Sequence, residues 1–238
     1  REAADMLLTD DNFASIEAAV EEGRTVYQNL RKAIAFLLPV NGGESMTILI
    51  SALLARDLPI LSLQVLWLNM INSLTMTVPL AFEPKSNGLM HQPPRNPKES
   101  LITGKLLRRI LIVSLFNWIL IFGIFEWAKS TTGDIAVART MAIQALVAAR
   151  IIYLLSISQL GISLLNYIGL KSTSITNAPI LIVGIVGAVV LQIIFSQGHV
   201  MNVLFETAPL TFNQWLICLI PMLPMIPLAI FVNYLDRP

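Results

Sequence analysis

The stretch LWLNMINSLTMTVPLAFEP, residues 66–84, is apolar enough to lie in lipid, yet it carries Asn69, Asn72, Ser73, Thr75 and Thr77. Extended back to residue 60, it has the length of about 20 residues that crosses a hydrocarbon core roughly 30 Å thick. Runs of this kind recur, with spans near 34–54, 60–82, 107–128, 137–158, 179–197 and 213–233. The composition agrees: 55% of residues are hydrophobic, 13% are charged, and the mean hydropathy is +0.70, well above a water-soluble chain. The fold class is therefore all-α: a polytopic membrane protein with six transmembrane helices.

Charge placement orients these spans. Lys85, Arg95, Lys98, Lys105, Arg108 and Arg109 crowd the loop between the second and third, and Arg1, Arg24, Arg31 and Lys32 precede the first. If the spans alternate, Lys171 and Arg237 fall on the same side, whereas the opposite loops hold Arg56, Lys129 and Arg139. The positive-inside rule then places both ends in the cytoplasm. Cys218 is the single cysteine and sits in an apolar span, so no intramolecular disulfide forms. The opening REAADMLLTDDNFASIEAAVEEGR is polar and helix-prone, with Asp10 or Asp11 as its cap, and reads as the tail of a soluble domain. From Ile16 to Leu38 only Gly23 interrupts, so one helix is expected to run from the cytoplasm into the membrane. Thr176 or Asn177 is expected to cap the fifth span and Thr211 or Asn213 the sixth. The Pro-rich loop after Pro84 should cross in extended form.

Three polar groups are costly at membrane depth. In PVNGGES (39–45), Asn41 and Glu44 share one helix face, Pro39 removes a backbone donor, and Gly42 and Gly43 loosen the helix. A carboxylate, an amide oxygen and freed carbonyls are ligands for a hard cation. Small-residue packing around a protonated Glu44 is the other reading. Asn69, Asn72 and Ser73, at i, i+3 and i+4, form a second polar face, which serves either an ion or interhelical hydrogen bonds. Thr75 and Thr77 weigh less, because they can bond their own backbone. Arg150, near the middle of the fourth span, requires a partner or a wet crevice; Glu44 is the carboxylate deepest in a span. His91 and His199 fall in loops with no metal-ligand spacing, and Trp67, Trp118, Trp127 and Trp215 include interface anchors.

These segments together resemble the C-terminal membrane region of P-type cation-transporting ATPases, in particular the calcium-pump-like subgroup. EAADMLLTDDNFASIEAAVEEGRTVYQNLRKAIAFLL is similar to the end of that family's phosphorylation domain and its stalk, and NGGE to the Asn-x-x-Glu of its fifth helix. LQVLWLNMINSLTMTVPLAFEP is similar to its sixth, which reads roughly W-x-N-L-x-T-D-G-L-P and ends in F-x-P. GLMHQPPRNPKESL, ARTMAIQALVAARIIYLLS and LFETAPLTFNQWL follow in the family's order. The resemblance implies residues 1–32 as stalk and domain remnant, residues 33–238 as helices five to ten, and ATP-driven cation export by the whole protein. ATP and Mg2+ would act there. The DKTG, TGES and GDGVNDAP motifs are absent from this sequence. Expected partners are the lipid bilayer and the earlier helices and cytoplasmic domains of the same protein, not nucleic acid.

The departures from the family's pattern bear on the cargo. Asn41, Glu44 and Asn69 stand at the family's ligand positions, but Asn72-Ser73 replaces its Thr-Asp. Leu74 and Met76 replace the Gly and Pro that unwind the helix, with Pro79 available to bend it further along, and Arg150 replaces a Glu of the eighth helix. Unit charges 4 Å apart interact by about 4 kcal/mol at an effective dielectric near 20, and a dication roughly doubles the repulsion from Arg150. The expectation is that Arg150 occupies one cation position as a tethered counter-charge paired with Glu44, leaving at most one transported ion. That ion is calcium on overall likeness; a proton or monovalent-cation pump, a degenerate regulatory homologue, and a secondary transporter or channel are the alternatives.

Overall fold

The computed structural model describes residue 9 and residues 12–94, 101–169 and 177–235, and all regular elements among them are helices. α1 (Phe13–Leu53) opens on Asn12, whose side chain accepts from the Ala14 amide at 3.0 Å. Asp10 and Asp11, the expected caps, lie outside the described residues. α1 continues through Pro39 without a break, carrying its polar first half straight into its apolar second half.

The second span departs from a plain helix. α2 (Ser62–Ile71) passes into a π-helical turn, Asn72–Thr77, and then into α3 (Val78–Ala81). α4 (Gly104–Thr132) is capped by Thr103 and closed by Gly133 at φ +69°, a left-handed stop that glycine adopts without strain. α5 (Ile135–Ile157) is capped by Asp134, and Ser158 caps the short α6 (Gln159–Ile168). α7 (Pro179–Gln197) starts on a proline, whose missing N–H costs nothing there. Ala178 stands at its cap position with no side-chain bond, so Asn177 does not cap it, and Thr176 lies outside the described residues. α8 (His199–Phe205) takes His199 out of the expected loop. The last span divides at Ile220-Pro221 into α9 (Phe212–Leu219), capped by Thr211 with Gln214, and α10 (Met222–Leu235).

Five stretches are long and apolar enough to cross a membrane as helices: α1, α4, α5, α7 and Phe212–Leu235. The π turn divides the sixth. Of the five, α5 has 72% of its apolar window buried, against 28–33% for the others, so it is the post around which the bundle packs. Ala138, Ala142, Ala145 and Ala149 let its neighbours approach closely, the usual device where lipid offers no hydrophobic drive. Large apolar side chains stay exposed outside, among them Val183, Val186 and Leu223, as a bilayer-facing surface requires.

Outside the apolar spans, one face of α1 grips the loop after α3. Glu21, Arg24, Gln28, Asn29 and Lys32 recur at helical spacing. Glu21 pairs with Lys85 at 2.8 Å, Arg24 donates to the Leu89 and Gln92 carbonyls, and Gln28 accepts from Ser86. Asn29 donates to the Ala81 and Glu83 carbonyls. The Glu83 carboxylate is buried, 2.8 Å from Lys32 Nζ, and accepts from the Gln159 amide at 2.9 Å, so α6 joins the same knot. The described part of this loop is therefore held against α1, and it contains a 3-10 turn at Leu89–His91 instead of the expected wholly extended crossing. At the opposite end Lys129 bonds Asp57 at 2.6 Å and holds its carboxyl below the usual carboxylate range.

Trp67 is not an interface anchor. It is buried, stacks on Phe195 with ring centroids 5.0 Å apart, and donates Nε1–H to Gln192 Oε1 at 2.8 Å. Trp127, 44% exposed, fits the anchor role.

Candidate functional site

Arg150 is 0% exposed, as is Asn72, and Glu44 is 3% exposed. Arg150 Nη2 lies 2.6 Å from Glu44 Oε1, and Nη1 donates to Asn72 Oδ1 at 3.3 Å. One guanidinium thus ties α1, the π turn and α5 together. Its fork geometry allows two partners to be held at once, which a lysine ammonium does not do as rigidly.

Of the other candidates, Asn72 bonds Arg150 directly. Asn69, Asn72 and Ser73 project about 0°, −60° and +40° around a helix axis at about 100° per residue. That arc spans two environments: Asn72 is buried against Arg150, Asn69 is half-buried, and Ser73 is exposed on the far edge. Asn41 is half-buried. Its Oδ1 is buried without a partner, and so are Arg150 Nε, Asn72 Nδ2 and Thr77 Oγ1. A buried polar atom left unpaired costs about 1–3 kcal/mol. Arg150 Nε and Asn72 Nδ2 belong to the bonded groups themselves, whereas Asn41 stands one turn before Glu44 on α1 and Thr77 at the end of the π turn.

The backbone carbonyls expected near Pro39 are not free. Proline removes the amide that would bond the Ala35 carbonyl, and the Tyr153 hydroxyl donates to that carbonyl at 2.6 Å. Ser114 donates to the Pro39 carbonyl at 3.0 Å and Thr47 to that of Gly43 at 2.8 Å. Gly42 and Gly43 do not loosen α1 but admit α4: a Cβ on Gly43 would stand 2.6 Å from Asn117 Cβ, and one on Gly42 would overlap Ser114.

Asn117 is a residue that sequence reasoning missed. It is 1% exposed, and both amide atoms are without partners. Ser114 and Asn117 are three apart in an apolar span, the same signal that singled out Asn41 with Glu44.

The π turn has identifiable causes. Val78 N–H bonds the Ser73 carbonyl, five residues back, and Thr75 Oγ1 takes the Ile71 carbonyl at 2.6 Å. Pro79 donates nothing to the turn before it. Gly184 of α7 packs against that turn so closely that a Cβ there would overlap the Thr75 carbonyl oxygen and come 2.7 Å from Pro79 Cγ.

Chemically, the pair is neutral as a whole, so it offers no net anionic field. Among the described residues no three His, Cys, Asp or Glu side chains converge.

Residues 57–235 match the family described as "Cation transporting ATPase, C-terminus". The chain belongs to this family. A protein named "Cation-transporting ATPase pma1" from a Synechocystis species is 75% identical over 236 residues, covering 99% of this chain and 26% of that protein. A "Probable cation-transporting ATPase F" of Mycobacterium tuberculosis is 40% identical over 215 residues, or 90% of this chain and 23% of its own length. A "Calcium-transporting ATPase 1" of Bacillus cereus is 39% identical over 132 residues, 56% of this chain and 15% of that protein. The chain therefore spans about a quarter of the length of the first two relatives. As a C-terminal membrane region of a cation-transporting ATPase, it sets its buried Arg–Glu pair on the helices that this family's model covers and on the α1 helix that precedes them.

Proposed function

We propose that the chain is the membrane part of an ATP-driven cation pump and supplies half of the ion site. The observation that carries this reading is the buried triad Glu44–Arg150–Asn72, with Asn41 Oδ1, Asn72 Nδ2 and Thr77 Oγ1 also buried without partners on α1 and the π turn. Asn41, Glu44, Asn69, Asn72 and Ser73 contribute the cargo's ligands, completed by helices outside this chain. Arg150 serves as a tethered counter-charge and takes the place of one cation. At most one ion is then carried, and calcium is the cargo favoured by the calcium-transporting Bacillus relative. ATP and Mg2+ act in the cytoplasmic domains of the whole protein, and no described residue here is assigned to them. The basic flank of α1 and the basic loop after α3 face the cytoplasm under the positive-inside rule.

A second cargo is favoured by one specific observation. Glu44 is already engaged by a guanidinium at 2.6 Å, which leaves little anionic field for a dication. A proton or a monovalent ion tolerates that field better, with Glu44 as the carrier.

The test is ATPase activity of the full-length protein in detergent, titrated with calcium, sodium, potassium and manganese across pH. Stimulation by micromolar calcium is the expected result. Activity indifferent to metals but dependent on pH moves the reading to protons. Inactivity under all conditions, with the protein folded, overturns the pump and leaves a degenerate homologue.

A further inference from the structure

Asn117 lies near the middle of α4 and packs against Gly43, the residue that precedes Glu44 on α1. A Cβ on Gly43 would stand 2.6 Å from Asn117 Cβ and 3.5 Å from its Nδ2, so the amide rests on bare α1 backbone. The side chain is 1% exposed, and neither Oδ1 nor Nδ2 has a partner among the described residues. Helices of this chain alone already enclose it, so whatever pairs with it must be small. Its surroundings are polar. Ser114, three residues earlier on α4 and also buried, donates to the Pro39 carbonyl and keeps its lone pairs free to accept. Thr47 donates to the carbonyl of Gly43 itself.

The chemistry of the amide narrows the choice. A bare cation would suit Oδ1 and repel the Nδ2 donors, whereas water answers both groups. A leucine of similar volume would avoid the cost of burying this amide unpaired. An asparagine kept at that cost, against the neighbour of Glu44, points to a use beyond packing.

We propose that Asn117 is a further residue of the ion site, holding water between α1 and α4 that forms part of the cargo's hydration at Glu44. This rests on the pump reading and adds α4 to a site otherwise built from α1, the π turn and α5. The cargo is bound partly hydrated, with water on the α4 side and protein oxygens elsewhere. Retained water suits a carboxylate already engaged by a guanidinium, since such a site has less charge with which to strip a hard cation.

ATPase activity of the full-length protein in detergent tests this, titrated with calcium at fixed pH and with pH in calcium-free buffer, alongside the thermal midpoint. Asn117→Leu should raise the half-activating cation concentration on the order of tenfold, the worth of one hydrogen-bonded contact. Its midpoint should stay level or rise. A purely structural amide gives the reverse, a lower midpoint with activation unchanged, and that result overturns the proposal. Asn117→Ser keeps a hydroxyl able to hold water and should retain native half-activation. Asn117→Asp, equal in volume, sets a carboxylate beside the cargo and should lower the half-activating concentration; it decides the matter even if the Leu variant does not fold. Ser51→Ala removes another buried, unpaired polar group further along α1 and should leave activation unchanged. Half-activation unmoved by Asn117→Asp, in a native protein that responds to calcium or pH, overturns the proposal and leaves the pump reading standing. A native protein that responds to neither overturns both.

Discussion

Arg150→Leu is expected to destabilise the membrane region by about 3–5 kcal/mol, because it strands the buried Glu44 carboxylate. Glu44→Gln should cost a similar amount, with Arg150 left charged and 0% exposed. The double variant Glu44→Gln/Arg150→Met removes both charges at similar volume, and replacing a buried pair in this way is often neutral or stabilising. It should therefore recover most of the loss. Read as midpoints of thermal unfolding in detergent, each single change should lower the midpoint of the full-length protein by about a few °C. The double change should bring the midpoint most of the way back. Equal midpoints for Arg150→Leu and the double variant would mean that the two charges are not energetically coupled, and that water rather than Glu44 satisfies the guanidinium.

Gly184→Ala is the second large effect. Its Cβ meets backbone, the Thr75 carbonyl, as well as the Pro79 ring, and neither can rotate away. Overpacking of this kind costs about 1–3 kcal/mol, occasionally more. It must be relieved either by moving α7 outward or by rewinding the π turn that presents Asn72 to Arg150. Gly187→Ala, one turn further along α7, meets only Thr75 Cγ2 at 3.9 Å and should be neutral. Thermal midpoints and cation-dependent ATPase activity of the two variants give the comparison. Loss at Gly184 with none at Gly187 supports the packing; equal behaviour of the two removes it.

The spans were legible because about 20 consecutive apolar residues have few other destinations. The Glu44–Arg150 pairing was legible because a central arginine is too costly to stand alone. The π turn was not. Leu74 and Met76 carry no mark of it, and Gly184, which packs against it, comes from an element far along the chain. The fate of the carbonyls near Pro39 was hidden for a related reason. A proline announces a missing donor, but Tyr153 and Ser114, which supply substitutes, come from helices whose positions a sequence does not disclose. Asn69, Asn72 and Ser73 were expected to form one polar face, and the structure spreads them from buried to exposed. Which edge of the arc turned inward depended on where α5 stands.

Asn117 was legible and overlooked, since the test applied to other polar pairs in apolar runs also selects it with Ser114. Of the four tryptophans among which interface anchors were expected, Trp67 is buried instead. Here Gln192 supplies the buried acceptor that its N–H needs.

The central claim is that Arg150 stands where a second cation would otherwise bind. The number of cations transported per ATP hydrolysed, measured on the full-length pump in sealed proteoliposomes with its activating ion, tests it most directly. One cation per ATP is the predicted result. Two cations per ATP with Arg150 in place would contradict it.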